Sequence, residues 1–337
     1  MQMSSICNIY FGGQAEMFQK MAVFILSMLT ALTFASCSTS GSNGSITGSS
    51  TSTSTAGKSG KIKVSVSFDA MREFTKAVGK DKVEISTIIP DGTEPHDFEP
   101  KAKDLAALSS AQVFVYSGFG MENWADKAVQ AAGNNSLIVV EASKGATPIQ
   151  NTDADEIKEH GQYDPHLWIS LKGAEIDARN IRDGLIQADP SDSAYFKKNC
   201  DSFTAQLENL YSEYKVKLQS NKKKSFVTGH AAFSYLCRDF GLKQNSVEDV
   251  FAEGEPSAKK LAGLVDYCKK NKVKTIFVED MVSPAVSQTL AKQVGAKVEK
   301  IYTIESSEDN KSYLERMKVN LKEISDSLTE EERTAQH

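Results

Sequence analysis

Three of the five histidines stand where an imidazole could take a metal ion. His96 lies in TEPHDFEP (93–100), His166 in YDPHLWIS (163–170) and His230 in VTGHAAF (227–233). Neutral imidazole binds zinc at about 2.0–2.1 Å. His96 and His166 each follow a proline, which stiffens the backbone. Each also has a carboxylate close by, Asp97 or Asp164, able to accept the second ring N–H and fix the tautomer. A lone histidine in a turn is ordinarily solvated or hydrogen-bonded locally. His160, in an acidic stretch, and His337, at the chain end, keep that ordinary reading.

The elements that must carry these side chains alternate between strand and helix. Strand patterns cover 61–68, 82–90, 112–118 and 136–143, with helical spacing at 70–79, 102–111 and 121–133. The break at 144–163 is polar and acidic, and a helix follows from about 172 to 187. From Ser191 to Gln219 neither glycine nor proline interrupts, and Phe196, Phe203, Leu207, Leu210, Tyr211, Tyr214 and Leu218 recur at helical spacing. A helix of roughly 29 residues would be about 43 Å long. A second alternating block has strands at 224–229, 242–251, 273–280 and 296–303. Its helices fall at 230–241, 256–271, 283–295 and 310–328. Such alternation predicts βαβ units and mostly parallel sheets. The fold class expected is α/β, as two lobes joined by one long rigid helix. In open α/β sheets ligands bind beyond the carboxyl ends of strands. His96 follows a strand, His166 precedes a helix, and His230 is expected to open one. Three imidazoles delivered there can converge on one ion between the lobes.

The N-terminus reads as an export signal. Lys20 precedes MAVFILSMLTALTFAS (21–36), too short and too soon ended by small residues for a comfortable membrane span. Met17 and Met21 are alternative starts. FASC, ending at Cys37, resembles a bacterial lipobox, which implies cleavage before Cys37 and lipidation of its thiol. The Ser/Thr/Gly tract that follows, to residue 60, suits a flexible tether. The expected organisation is signal peptide 1–36, lipidated Cys37 with tether 37–60, N-terminal lobe 61–189, linking helix 190–221 and C-terminal lobe 222–337. Cys7 leaves with the signal. Cys200, Cys237 and Cys268 allow at most one disulfide, show no zinc-finger spacing and read as structural. A formal net charge of −5 argues against nucleic acid as a partner.

Several separated motifs, in order, carry a family resemblance: IIPDGTEPHDFEPKAKDLAALSSAQVFVYSGFGMENW, DPHLWIS, VTGHAAFSYLCRDFGL, EGEPSAKKLAGLVDYCKKNKVKTIFVE and YTIESSEDNKSYLERMKVNL. From about Lys61 to Leu328 the chain resembles the zinc-binding substrate-binding lipoproteins of bacterial ABC importers, cluster A-I. The resemblance implies His96, His166 and His230 as metal ligands and Glu305 as the fourth. Glu279, Asp280 and Glu94 also compete for that place. Manganese-type relatives have a carboxylate where His230 stands and an aspartate at 304, which is Ile here. The long His- and Asp-rich loop of some zinc members is absent, and 144–163 holds only His160.

The resemblance implies an extracytoplasmic, lipid-anchored receptor that captures Zn2+ as transported ligand and passes it to an ABC permease and its ATPase, working as a monomer. Three imidazoles and one carboxylate close a tetrahedral site, as transport and structural sites require, whereas catalytic zinc keeps a water. A zinc hydrolase would need an open position and a base such as Glu305 or Glu279, and no HExxH motif is present. The same motifs are compatible with a manganese or iron receptor of the family, and with a surface adhesin. Metal loading is expected to be lost as the histidines protonate below about pH 6.5.

Overall fold

Two four-stranded parallel sheets form from the two alternating blocks. The computed structural model describes residues 60–151, 157–158, 161–250, 256–280 and 283–334. The expected signal, Cys37, the tether up to residue 59, His160 and His337 lie outside them. The first sheet contains β1 (Ile62–Val66), β2 (Val83–Thr87), β3 (Val113–Tyr116) and β4 (Ile138–Glu141), ordered β2-β1-β3-β4. The second contains β5 (Ser225–Thr228), β6 (Lys243–Ser246), β7 (Thr275–Val278) and β8 (Lys297–Lys300), in the equivalent order β6-β5-β7-β8. Central strands buried on both faces read as apolar runs, as Val113–Phe114–Val115 does. The order reverses between β1 and β3, and again between β5 and β7. Those are the points where an open sheet leaves a crevice at its carboxyl edge.

Helices α1 (Asp69–Gly79), α2 (Ala102–Ser110), α3 (Ala125–Ala132) and α4 (Leu171–Ala188) accompany the first sheet. Helices α6 (Ser234–Phe240), α7 (Ala258–Lys270), α8 (Pro284–Val294) and α9 (Tyr313–Thr334) accompany the second. Between them α5 (Ser193–Ser220) runs for 28 residues, about 42 Å. Phe196, Phe203, Leu207, Leu210, Tyr214 and Leu218 are its buried stripe, while Tyr211 is only partly buried. Its first turn meets the foot of β2, where Lys82 pairs with Asp192 at 2.9 Å. Its last turn meets the foot of β5, where Lys224 donates to the Leu218 carbonyl at 2.6 Å. The helix therefore spans both lobes, as its uninterrupted spacing predicts.

One hydrophobic core runs from the first sheet, through α4 and α5, to Phe226, Phe233 and Phe277 on one face of the second sheet. A smaller cluster, with Val227, Leu264 and Ile276, covers the other face. Polar ties join the lobes as well. Trp168 Nε1 donates to the Thr303 carbonyl at 2.8 Å, and the Tyr313 hydroxyl to the Trp168 carbonyl at 2.7 Å. Cys200, Cys237 and Cys268 are free thiols and buried.

Two helices start later than their spacing suggests. The segment 121–124 is a turn, because Glu122 folds back to accept the N–H groups of Ser117 and Gly118 at 2.9 and 3.0 Å. His230 does not open a helix; α6 begins at Ser234. The His230 carbonyl is taken by Thr228 Oγ1 and by Gln244 Nε2, so it cannot serve as the first helical acceptor. Helix α1 runs through Gly79 and is capped by Lys80, whereas α3 and α6 end at glycine. Gly133 and Gly241 take left-handed conformations, φ +60° and +66°, which suit a residue without a Cβ.

Candidate metal centre

His96 sits in the loop after β2, between Pro95 and Pro100. Its backbone N–H donates to Glu94 Oε1 at 3.2 Å, and its side chain is 1% exposed. Asp97, considered as its carboxylate partner, is exposed. His166 ends the loop before α4 and is fully buried. Asp164 Oδ1 accepts its backbone N–H and pairs with its Nδ1, both at 2.9 Å. That contact places a proton on Nδ1, so Nε2 is the atom turned toward the other histidines. His230 follows β5, at the second sheet's crevice. Its Nε2 donates to the Val250 carbonyl at 2.8 Å, which leaves Nδ1 as the basic atom. Its backbone N–H reaches Glu279 Oε1 at 3.2 Å.

The three side chains come together from three separate segments. His96 Nε2 and His166 Nε2 are 3.2 Å apart, and one ligand atom from each histidine falls within 4.8 Å of the other two. Among the described residues this is the one such group of three. Glu305, after β8, points Oε1 at His96 Nε2 and His166 Nε2, 3.8 and 3.6 Å away. Its Oε2 accepts from Thr303 Oγ1 at 2.7 Å, and Oε1 has no hydrogen-bond partner. A buried carboxylate oxygen left without a donor costs free energy unless something cationic faces it.

The electrostatics agree with that arrangement. Burial alone would lower His166, but hydrogen bonds and charge from Asp164 and Glu305 outweigh it and raise the group to about 9. Burial would raise Glu305, and the facing histidines overturn this and hold it below the ordinary carboxylate range. Burial, and then the His166 charge, push His230 down to about 4, so it is neutral. Without metal the site thus holds its proton on His166, between two carboxylates.

The competing carboxylates behave differently. Glu279 is buried, with Oε1 on the His230 N–H and Oε2 against Gly229, where any Cβ would overlap it. Burial pushes it up to about 8. Asp280 pairs with Lys300 at 2.6 Å and is half exposed. Glu94 holds the His96 backbone, and burial and the Glu305 charge raise it.

Sequence reasoning missed several residues that hold the site. Tyr235 donates to the Asp164 carbonyl at 2.7 Å and accepts from the Ile149 N–H at 3.0 Å, tying α6 to the His166 loop. Gln244 bonds both the His230 carbonyl and the Phe233 N–H. Thr303 orients Glu305, and Asn320 brackets Tyr302 just before it. Tyr235, Thr303 and Asn320 lie inside the quoted motifs, which was the only hint of them, and Gln244 lies just beyond one and carried no such hint.

Known proteins resemble this chain over most of its length. The family profile described as zinc-uptake complex component A, periplasmic (ZnuA), matches residues 64–327. A putative metal-binding protein of Treponema pallidum is 45% identical over 272 residues, 78% of this chain and 86% of its own. The high-affinity zinc uptake system protein ZnuA of Bacillus subtilis is 36% identical over 293 residues, 83% of this chain and 92% of its own. Among solved structures, a mutant of the laminin-binding adhesin Lmb of Streptococcus agalactiae superposes with a TM-score of 0.74. It is 35% identical and covers 79% of this chain and 99% of its own.

Proposed function

Because this chain belongs to the family of periplasmic component A of zinc-uptake complexes, we propose that it is an extracytoplasmic receptor that captures Zn2+ and delivers it to an ABC-type permease. The family is one of transport receptors, not enzymes. The proposed ligands are His96, His166, His230 and Glu305. The observation that carries the reading is their spacing. Two ligand atoms about 2.0–2.1 Å from a tetrahedral zinc lie about 3.3–3.4 Å apart. The separations of 3.2, 3.6 and 3.8 Å among His96, His166 and Glu305 are close to this before any ion draws them in.

Three neutral nitrogens and one carboxylate leave no open position, which suits a carrier rather than a hydrolase. Histidine as the third ligand, where manganese-type relatives have a carboxylate, supports zinc over manganese or iron. Ligands from both lobes mean that the ion favours whichever arrangement brings the lobes together. We further propose residues 61–189 and 222–337 as the two lobes, 190–221 as the joining helix, a monomeric state, and a membrane anchor at Cys37. The anchor is supported by the FASC motif and the polar tract after it. Adhesion is a second reading, supported only by likeness to laminin-binding proteins such as Lmb, and a laminin-binding assay tests it.

The deciding experiment is metal content, with competitive zinc and manganese titration, on the full chain and its His230→Ala variant. One tightly held zinc per chain, weakened in the variant, is the expected result. Equal binding without His230 would sink the three-histidine site.

A further inference from the structure

Glu305 sits next to a backbone position that its residue type resists. Ile304 is β-branched, buried and left-handed, φ +62°. Such residues avoid this region, and one persists there only when its surroundings hold it. The bonds that hold it fall on Glu305 and on Ser306 just after it. The Ser306 carbonyl accepts from Arg316 Nη1 at 2.8 Å, and the Glu305 carbonyl accepts from the Asp69 N–H at 3.4 Å. Arg316 Nη2 and Asp69 Oδ2 then close the circuit at 2.6 Å. Arg316 comes from the first turn of α9, and Asp69 opens α1 in the other lobe. Both are buried, at 0% and 1% exposure.

A buried ion pair is weak evidence for stability, since desolvating two charges offsets most of their attraction. Its geometry therefore calls for another account. A planar guanidinium can reach a carbonyl and a carboxylate at once, while a lysine ammonium is a single point. From this we infer that Arg316 is a positioning residue for metal capture. With Asp69 it pins residues 305–306 across the lobes, so that the Glu305 carboxylate faces His96 and His166. The inference rests on Glu305 being the fourth ligand.

The test is a double-mutant cycle read as zinc affinity, by competitive chelator titration of the full chain. Glu305→Gln must weaken zinc by itself; if it does not, the fourth-ligand reading fails, independently of Arg316. Arg316→Lys is expected to weaken zinc about 10–100-fold, the usual effect of removing a partner that orients a ligand. In the Glu305→Gln background the same change is expected to cost less than about threefold, because its effect passes through a carboxylate no longer present. Asp69→Asn, which attacks the clamp from the other lobe, is expected to show the same pattern and serves if Arg316→Lys does not fold. Equal losses in both backgrounds, or no loss in the native one, would overturn the inference.

Discussion

With His166 as a proposed zinc ligand, the proton and the metal would compete for its imidazole. The carboxylates of Asp164 and Glu305 raise the imidazole to about 9, whereas zinc needs its Nε2 unprotonated, so binding at neutral pH must expel a proton. Zinc affinity should therefore climb with pH up to about 9, above the 6.5 of an ordinary histidine. Calorimetry in buffers of different ionisation enthalpy should show close to one proton released per zinc at pH 7.5. No release would contradict a protonated His166. The metal-free protein has the opposite sign. A group raised on folding contributes stability that is fully present below its unfolded value, about 6.5, and lost as pH rises through its folded one. Glu279, raised to about 8 by burial, acts in the same direction. Urea melts of the zinc-free chain should lose on the order of 5 kcal/mol between pH 6.5 and 9 from these two groups, about 3 from His166 and about 2 from Glu279; constant stability would refute this. Replacing Asp164 by Asn removes one of the two charges that raise His166. Zinc affinity should drop about 10–100-fold, and the pH rise should move toward pH 6.5. Asp164 was legible in DPHLW because it adjoins its histidine. Glu305 was legible only through family resemblance, since nothing in YTIES says that its carboxylate turns toward histidines more than a hundred residues away.

The elements were legible wherever periodicity and helix caps agreed. The alternation gave both sheets, and the stripe from Phe196 to Leu218 gave the joining helix. Failures came where side chains compete for the backbone. The start of α6 moved from His230 to Ser234 because Gln244, on β6, bonds the His230 carbonyl at 2.7 Å, the Phe233 N–H at 2.8 Å and Thr228 Oγ1 at 2.6 Å. A glutamine on a neighbouring strand carries no local sign of this. Its three bonds hold the non-helical turn that delivers His230. Changing Gln244 to Ala should destabilise the chain by about 2–3 kcal/mol, at about 1 kcal/mol for each bond lost, and weaken zinc severalfold. Denaturant midpoints and chelator titration would measure the two effects. Unchanged zinc affinity in a destabilised variant would make Gln244 a residue of the core alone.

Across the whole molecule, the joint between the lobes is packed rather than hinged. One core crosses it, α5 spans it, and bonds such as Gly92 N–H to Ser306 Oγ at 2.8 Å and Ser170 Oγ to Asp239 at 2.6 Å stitch it at several points. These ties join residues 69–214 positions apart, so no local pattern announces them, although the two-lobe plan itself was readable. A joint of this kind should unfold as one cooperative unit and move little on capture. Zinc held at a thousandfold above its Kd should stabilise the chain by about 4 kcal/mol. At about 2–4 °C per kcal/mol, that is a rise on the order of 10 °C in Tm, reversed by EDTA. Small-angle scattering should give the same radius of gyration with and without zinc, to within about 1 Å, because a core close-packed across the lobes does not deform continuously. Two separate melting steps, or a radius that contracts by several Å on zinc addition, would show that the lobes are hinged and that capture works by wide closure instead.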